Sequence, residues 1–257
     1  MGDTVEFGTV EFSVLGPVRV ISKGREIPVP GRKQRTMLAA LLLAGGRPLS
    51  DDRLTAVMWG GRAPATVGAQ LCTYASRLRT RLGPAAELRR VGSSYRLGVT
   101  GGLVDAAEFD RLARAGHEAL RAGRPEVAAP LLRSALGLWR GPALDGVTQQ
   151  LKDAEVPQLD EARTSALESR IEAELALGEH HGLVPELTGL VARYPLRERL
   201  RAQWMTALYR CERQAEALAA YQEGRRILVE ELGVDPGPAL TAAHHAVLQG
   251  RLGLEAV

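Results

Sequence analysis

Between Thr66 and Arg81, side chains able to form paired hydrogen bonds recur along one side of "TVGAQLCTYASRLRTR". A helix turns by about 100° per residue, so Leu71, Ala75, Leu78 and Leu82 make an apolar stripe. Thr66, Gln70, Thr73, Arg77 and Arg81 form a line of hydroxyl, amide and guanidinium groups opposite it, with Arg79 on the flank. Amides and guanidiniums each offer two hydrogen bonds, the pattern that discriminates base pairs in a DNA major groove. Gln70, Thr73 and Arg77 are therefore the candidates for base edges. Thr66 and Arg81, near the helix ends, suit phosphates that set register. A solvated helix face fits this stretch equally well when it is taken alone.

Such a face works only if other elements hold it. Upstream, "TVEFSVLG", "VRVISKG" and "REIPVP" alternate apolar and polar residues and end at Gly or Pro, which predicts a small antiparallel sheet. "GRKQRTMLAALLLAGG", Gly31 to Gly46, predicts a first helix with Met37, Leu38, Leu41 and Leu42 inward and two closing glycines. "LSDDRLTAVMWGG" predicts a short second helix, with Ser50 as N-cap, acidic residues in the first turn, and Leu54, Val57 and Met58 inward. The third helix spans about Ala65 to Leu82. After it, "LRRVGSSYRLGV", Leu88 to Val99, puts "GSS" between two extended arms, a hairpin signal.

Sheet, three helices, hairpin is the order of a winged helix-turn-helix, whose third helix enters the major groove. Arg89, Arg90, Ser93 and Ser94 lie on or beside the hairpin, where a wing reaches backbone or minor groove. Tyr74 and Tyr95 fit a core better than a nucleic-acid contact. Arg32, Lys33 and Arg35 fit either a solvated helix start or phosphate contacts.

Charge divides the 257 residues in two. Met1 to Gly102 carries 15 Lys and Arg against 7 Asp and Glu, a balance of +8, whereas the remainder carries −5. A basic module joined to an acidic one suggests that the first meets a polyanion. Residues 1–102 are accordingly expected to be a DNA-binding domain and 103–257 a second, all-helical domain. Aromatic residues are only 4% of the chain, which favours helices packed through Leu and Ala. No run approaches a membrane span, and "MGDTVEFGTVEF" lacks the marks of a signal peptide, so a cytoplasmic protein without membrane contact is expected.

From Leu103 the pattern is helical. "VDAAEFDRLARAGHEALRAGRPEVAAPLLRSALGLW" predicts two antiparallel helices broken at Gly123 and Pro125. "LWRGPALDGVTQQLKDAEVPQL" reads as a loop leading into a long helix from about Val156 to Gly178. Gly178 aligns on Glu212 at 34 residues, the period of tetratricopeptide helix hairpins, which stack to cover one another's apolar faces. The expected fold is mainly α: a winged helix-turn-helix (α+β) followed by tetratricopeptide-like repeats.

Other chemistries find little footing. No Gly-rich loop ends in Gly-Lys-Ser/Thr and no GxGxxG opens a helix, so no nucleotide cofactor is implied. His180 with His181, and His244 with His245, are adjacent pairs, whereas a helical metal site prefers i and i+4; they read as surface or packing histidines. Cys72 and Cys211 read as reduced packing residues, and no metal site is expected. No catalytic acid stands out, and an enzyme is the least favoured class. Two readings remain: a DNA-binding activator whose repeats dimerise and help contact polymerase, or an adaptor whose repeats bind a peptide or small effector.

Taken together, "FSVLGPVRV", "GRKQRTMLAALLLAGGRPLSDDRL", the Trp of "VMWGG", "TYASRLRTRLGP", "LWRGPAL" and "YPLRERLRAQWMTALYRCERQAEALAAYQEGRRILVEELGVDPGPAL" resemble the Streptomyces antibiotic regulatory protein family over nearly the whole chain. The stretch "RQAEALAAY" followed by "ELGVDPGPAL" resembles its bacterial transcriptional activation domain most specifically. The resemblance implies an activator of biosynthetic gene clusters that binds direct repeats in double-stranded promoter DNA as a homodimer. It also implies recruitment of RNA polymerase holoenzyme through the sigma factor and the alpha and beta subunits, with the loop from Trp59 to Pro64 turned towards sigma. Three positions depart from the family pattern. Cys72 stands where relatives commonly carry a polar residue, Glu212 where Gly is usual, and the tip of "VGSSYRL" lacks the common prolines. The nucleotidase and sensor modules of larger relatives have no counterpart, so a small stand-alone activator is expected.

Overall fold

The computed structural model describes residues 10–99 and 101–251. Thr9, where the first expected strand begins, lies outside them, as do the residues before it. The chain forms two compact units. One is built from the chain up to Arg114 together with Ser134–Thr164, the other from Ala115–Arg133 together with the chain from Ser165 onward.

In the first unit, β1 (Val10–Ser13), β2 (Arg19–Ser22) and β3 (Arg25–Glu26) form the expected antiparallel ladder. A fourth strand of this sheet was not foreseen. β7 (Leu103–Val104) pairs parallel to β1, opposite Glu11 and Phe12. The helices are α1 (Arg32–Leu43), α2 (Asp51–Trp59) and α3 (Val67–Leu82), and all the apolar stripes read from the sequence are buried. Ser50 Oγ accepts the Arg53 N–H at 3.1 Å, the N-cap bond expected of it. The hairpin is β5 (Ala86–Val91) and β6 (Ser94–Val99), joined through Gly92 at φ +57° and Ser93. Ser94 belongs to the strand rather than the turn, facing Val91 on one side and Ser50 of β4 (Leu49–Ser50) on the other.

Residues 138–148 are more than a loop, because their backbone is stitched to the end of β1. The Arg140, Leu144 and Asp145 N–H groups donate to the carbonyls of Leu15, Val14 and Gly16 at 2.8, 2.9 and 3.0 Å. The Trp139 ring meets Phe109 edge-on at 5.6 Å. Asp105 completes this corner: it is 1% exposed, and its carboxylate accepts the N–H groups of Val14 at 2.9 Å and Leu15 at 3.1 Å. The helix that follows, α6, spans Gln149–Ala176, so it starts seven residues before the expected Val156. Pro157 lies inside this helix, which runs through it.

Helices α4 (Asp105–Arg121) and α5 (Pro125–Gly137) precede α6 and contribute, as it does, to both units. In the second unit a Cβ on Gly116 of α4 would lie 2.5 Å from Leu132 Cγ, so only glycine allows that approach. α7 (His180–Arg193), α8 (Glu198–Arg210), α9 (Gln214–Leu232) and α10 (Pro238–Leu248) share a core that includes Leu187, Leu200, Met205, Leu208 and Leu240. This makes ten helices among the described residues, in a mainly α chain.

The turns repeat one device. Arg124, Glu179 and Arg213 each donate their N–H to the carbonyl five residues back, at 3.0, 2.9 and 3.0 Å, as in a Schellman motif. The residue before each is left-handed: Gly123 at φ +68°, Gly178 at φ +81° and Glu212 at φ +61°. A side chain in that conformation costs about 1–2 kcal/mol, so Glu212→Gly removes a standing penalty. Glycine's greater freedom in the unfolded chain offsets part of it. The expected net gain is about 0.5–1 kcal/mol, checked by denaturant melting; an unchanged or lower midpoint counts against it.

Candidate nucleic-acid interface

α3 presents the expected polar side. Thr66, Thr73, Arg77 and Arg81 are exposed and Gln70 is half-buried, opposite a stripe in which Leu71, Ala75, Leu78 and Leu82 are all buried. Gln70 Nε2 donates to Thr66 Oγ1 at 3.1 Å, so these two act as one pair. Thr66 occupies the N-cap position without making a cap bond, and the Thr73 hydroxyl donates back to the Ala69 carbonyl at 2.9 Å. Arg77 has no hydrogen-bond or ion-pair partner among the described residues. Arg81 differs: its Nη1 donates to the Pro28 carbonyl at 3.1 Å. Arg79, on the flank, donates to the Leu88 carbonyl at 2.6 Å and fastens the helix to the hairpin.

On the hairpin, Arg90 is engaged within the protein. It forms a two-pronged pair with Asp51 at 2.7 and 2.6 Å and lies 4.5 Å from the centre of the Tyr95 ring. The hydrogen bond it donates to Asp51 holds this exposed guanidinium above its usual range, burial opposing. Arg89 pairs with Glu87, and the Ser93 carbonyl accepts the Asp51 N–H at 2.9 Å. The Arg90–Asp51 pair and the Asp51 N–H bond to Ser93 tie the hairpin to the start of α2, a role the sequence does not reveal. Arg96 was missed. It is exposed, sits directly across from Arg89 and has no partner among the described residues. The alternation of "SYRLG", with Tyr95 and Leu97 buried, is the signal that would have found it.

The ambiguous basic residues in the first turn of α1 separate. Lys33 Nζ donates to the Met58 carbonyl and stands 4.7 Å from the centre of the Trp59 ring, and Arg35 holds the carbonyls of Gly146 at 2.9 Å and Val29 at 3.2 Å. Burial, and next the charge of Arg32, lower the Lys33 pKa. Only Arg32 of the three is exposed. Tyr95 is a core residue as read, whereas Tyr74 is half-buried, 6.2 Å from the Trp59 ring.

The cysteine reading needs correction. Cys72 is exposed on α3, where its sulfur accepts the Tyr95 hydroxyl at 3.5 Å, and Cys211 lies beside His181. Cys72 is therefore no packing residue, whereas Cys211 is a free, half-buried cysteine that packs against the core of the second unit as read. Among the described residues no helix is long and apolar enough to cross a membrane.

A third helix with an exposed polar side backed by a buried stripe, a two-stranded wing and a second unit of helix hairpins fit a winged-helix transcriptional regulator. Residues 104–248 match the family model for the bacterial transcriptional activator domain. The chain belongs to the Streptomyces antibiotic regulatory protein family of transcriptional regulators. It is 36% identical over 257 residues to the regulatory protein DnrI of Streptomyces peucetius, covering 96% of this chain and 94% of that one. To the regulatory protein AfsR of Streptomyces coelicolor it is 43% identical over 244 residues, 95% of this chain, and it spans 25% of that relative's length. The solved structure of Mycobacterium tuberculosis EmbR in complex with a low-affinity phosphopeptide superposes with a TM-score of 0.88 at 33% identity, over 94% of this chain and 65% of that one.

Proposed function

We propose that the chain activates a biosynthetic gene cluster by binding direct repeats in double-stranded promoter DNA as a homodimer. Each α3 enters a major groove, the two copies lying on one face of the duplex and separated by whole helical turns of about 10.5 base pairs. Gln70, Thr73 and Arg77 read base edges, Thr66 and Arg81 hold phosphates, and Arg89, Arg90, Ser93 and Ser94 keep the wing at the backbone. In this division of labour residues 1–102 bind DNA and 103–257 activate. RNA polymerase holoenzyme is drawn in through sigma, alpha and beta contacts, the Trp59–Pro64 loop turned to sigma. Modest contacts suffice, since each 1.4 kcal/mol of added promoter affinity multiplies occupancy about tenfold at low saturation.

The observation that carries this reading is Arg77: a guanidinium without a partner among the described residues, at the centre of an exposed polar face whose reverse is fully buried. Binding to a duplex selected by the protein from random sequence is expected to fall at least about a hundredfold between roughly 50 and 200 mM salt, as displaced counterions drive association. Fluorescence anisotropy measures this. Affinity that ignores salt, or that is absent at low salt, favours the adaptor reading instead.

A further inference from the structure

Two turns separated in sequence bring together side chains that the regulator's DNA chemistry does not use. His180 is the first residue of α7, His181 follows it, and Cys211 closes α8. One ligand atom from each lies within 4.8 Å of the others, and Cys211 Sγ is 3.4 Å from His181 Nδ1 across 30 residues of sequence. His180 is 8% exposed, and its Nδ1 is buried without a hydrogen-bond partner among the described residues.

We infer that His180, His181 and Cys211 form a site for a divalent cation of the zinc type, with the remaining position open to water. Tetrahedral zinc takes a thiolate at about 2.3 Å and imidazole at about 2.0–2.1 Å, which sets sulfur and nitrogen roughly 3.5 Å apart. The observed 3.4 Å already matches that separation. Thiolate with two imidazoles is a borderline-soft donor set, suited to zinc or cobalt rather than to magnesium or calcium. The Arg210 charge and the α7 N-terminus oppose a cation here. Against them stands the thiolate itself; Glu179 and Glu186 line the same cleft as His181 but are already paired with Arg133 and Arg170. A bound ion would clamp the Gly178 turn to the Glu212 turn and so lock two successive helix hairpins.

The same 3.4 Å fits a thiol–imidazole hydrogen bond with no metal, and one titration separates the two. The full chain, reduced and stripped with a chelator, is titrated with Co²⁺ and then with Zn²⁺. A near-ultraviolet thiolate-to-cobalt charge-transfer band, bleached by zinc, is expected, together with a zinc-dependent rise in melting temperature. Cys211→Ser should abolish the band and His181→Ala should weaken binding at least tenfold, while Cys72→Ser leaves both unchanged. His181 is exposed, so its replacement tests binding without threatening the fold. Absence of the band in the unaltered chain, or its survival in Cys211→Ser, overturns the site.

Discussion

Arg77→Ala is expected to weaken operator binding roughly 5- to 150-fold, the equivalent of the 1–3 kcal/mol that a good bidentate base contact contributes. Preference for the base it faces should relax at the same time. Folding stability should stay within about 0.5 kcal/mol, because the side chain is exposed and bonds to nothing else among the described residues. The matching change at Arg90 is a useful contrast. Arg90→Ala breaks the pair with Asp51 and loosens the wing's attachment to α2, so any loss of affinity there comes mixed with a change in structure. Anisotropy titrations paired with melting curves separate the cases. Normal operator affinity in Arg77→Ala would show that another face of the molecule reads the DNA.

Asp105→Ala is expected to cost about 2–5 kcal/mol of folding stability, since it strands the buried N–H groups of Val14 and Leu15 and each orphan donor costs about 1–3 kcal/mol. Burial raises this carboxyl's pKa, opposed by the N–H groups of Val14, Leu15 and Ala106 and by the charge of Arg140. The folded chain therefore keeps this proton to a higher pH than the unfolded chain does. Taken alone, the group withdraws stability as pH climbs from the ordinary Asp range through its folded value, and it does not promote acid unfolding. Urea titrations of the two proteins at neutral pH give the comparison. A midpoint unmoved by the substitution would mean that water or a backbone shift satisfies both donors.

The parts legible in the sequence are those fixed by short-range rules. Leu71, Ala75, Leu78 and Leu82 repeat at helical spacing and are all buried; Ser50 caps the helix it precedes; Gly92 and Ser93 turn a hairpin whose arms alternate. The parts that were hidden depend on distant partners. β7 is two residues long, too short to show a period, and exists because β1 offers it an edge. Arg90 looks like any exposed cation until Asp51, 39 residues away, arrives beside it. Likewise, adjacent histidines suggest no ligand set until a turn 30 residues on supplies a sulfur. In the opposite direction the expected start at Val156 falls seven residues late, because α6 carries in its interior Pro157, a residue type more usual in a helix's first turn.

The corner made by Asp105, Trp139 and residues 140–145 has a practical consequence for anyone building chimeras. A seam between 102 and 103 follows the arithmetic of charge, yet it leaves behind the carboxylate, the aromatic lid and the peptide groups that finish the first unit. A fragment severed there carries a raw sheet edge on β1, an invitation to stray pairing with other chains. Exchanging reading heads between relatives therefore means transplanting the returning segment through Thr164 along with them.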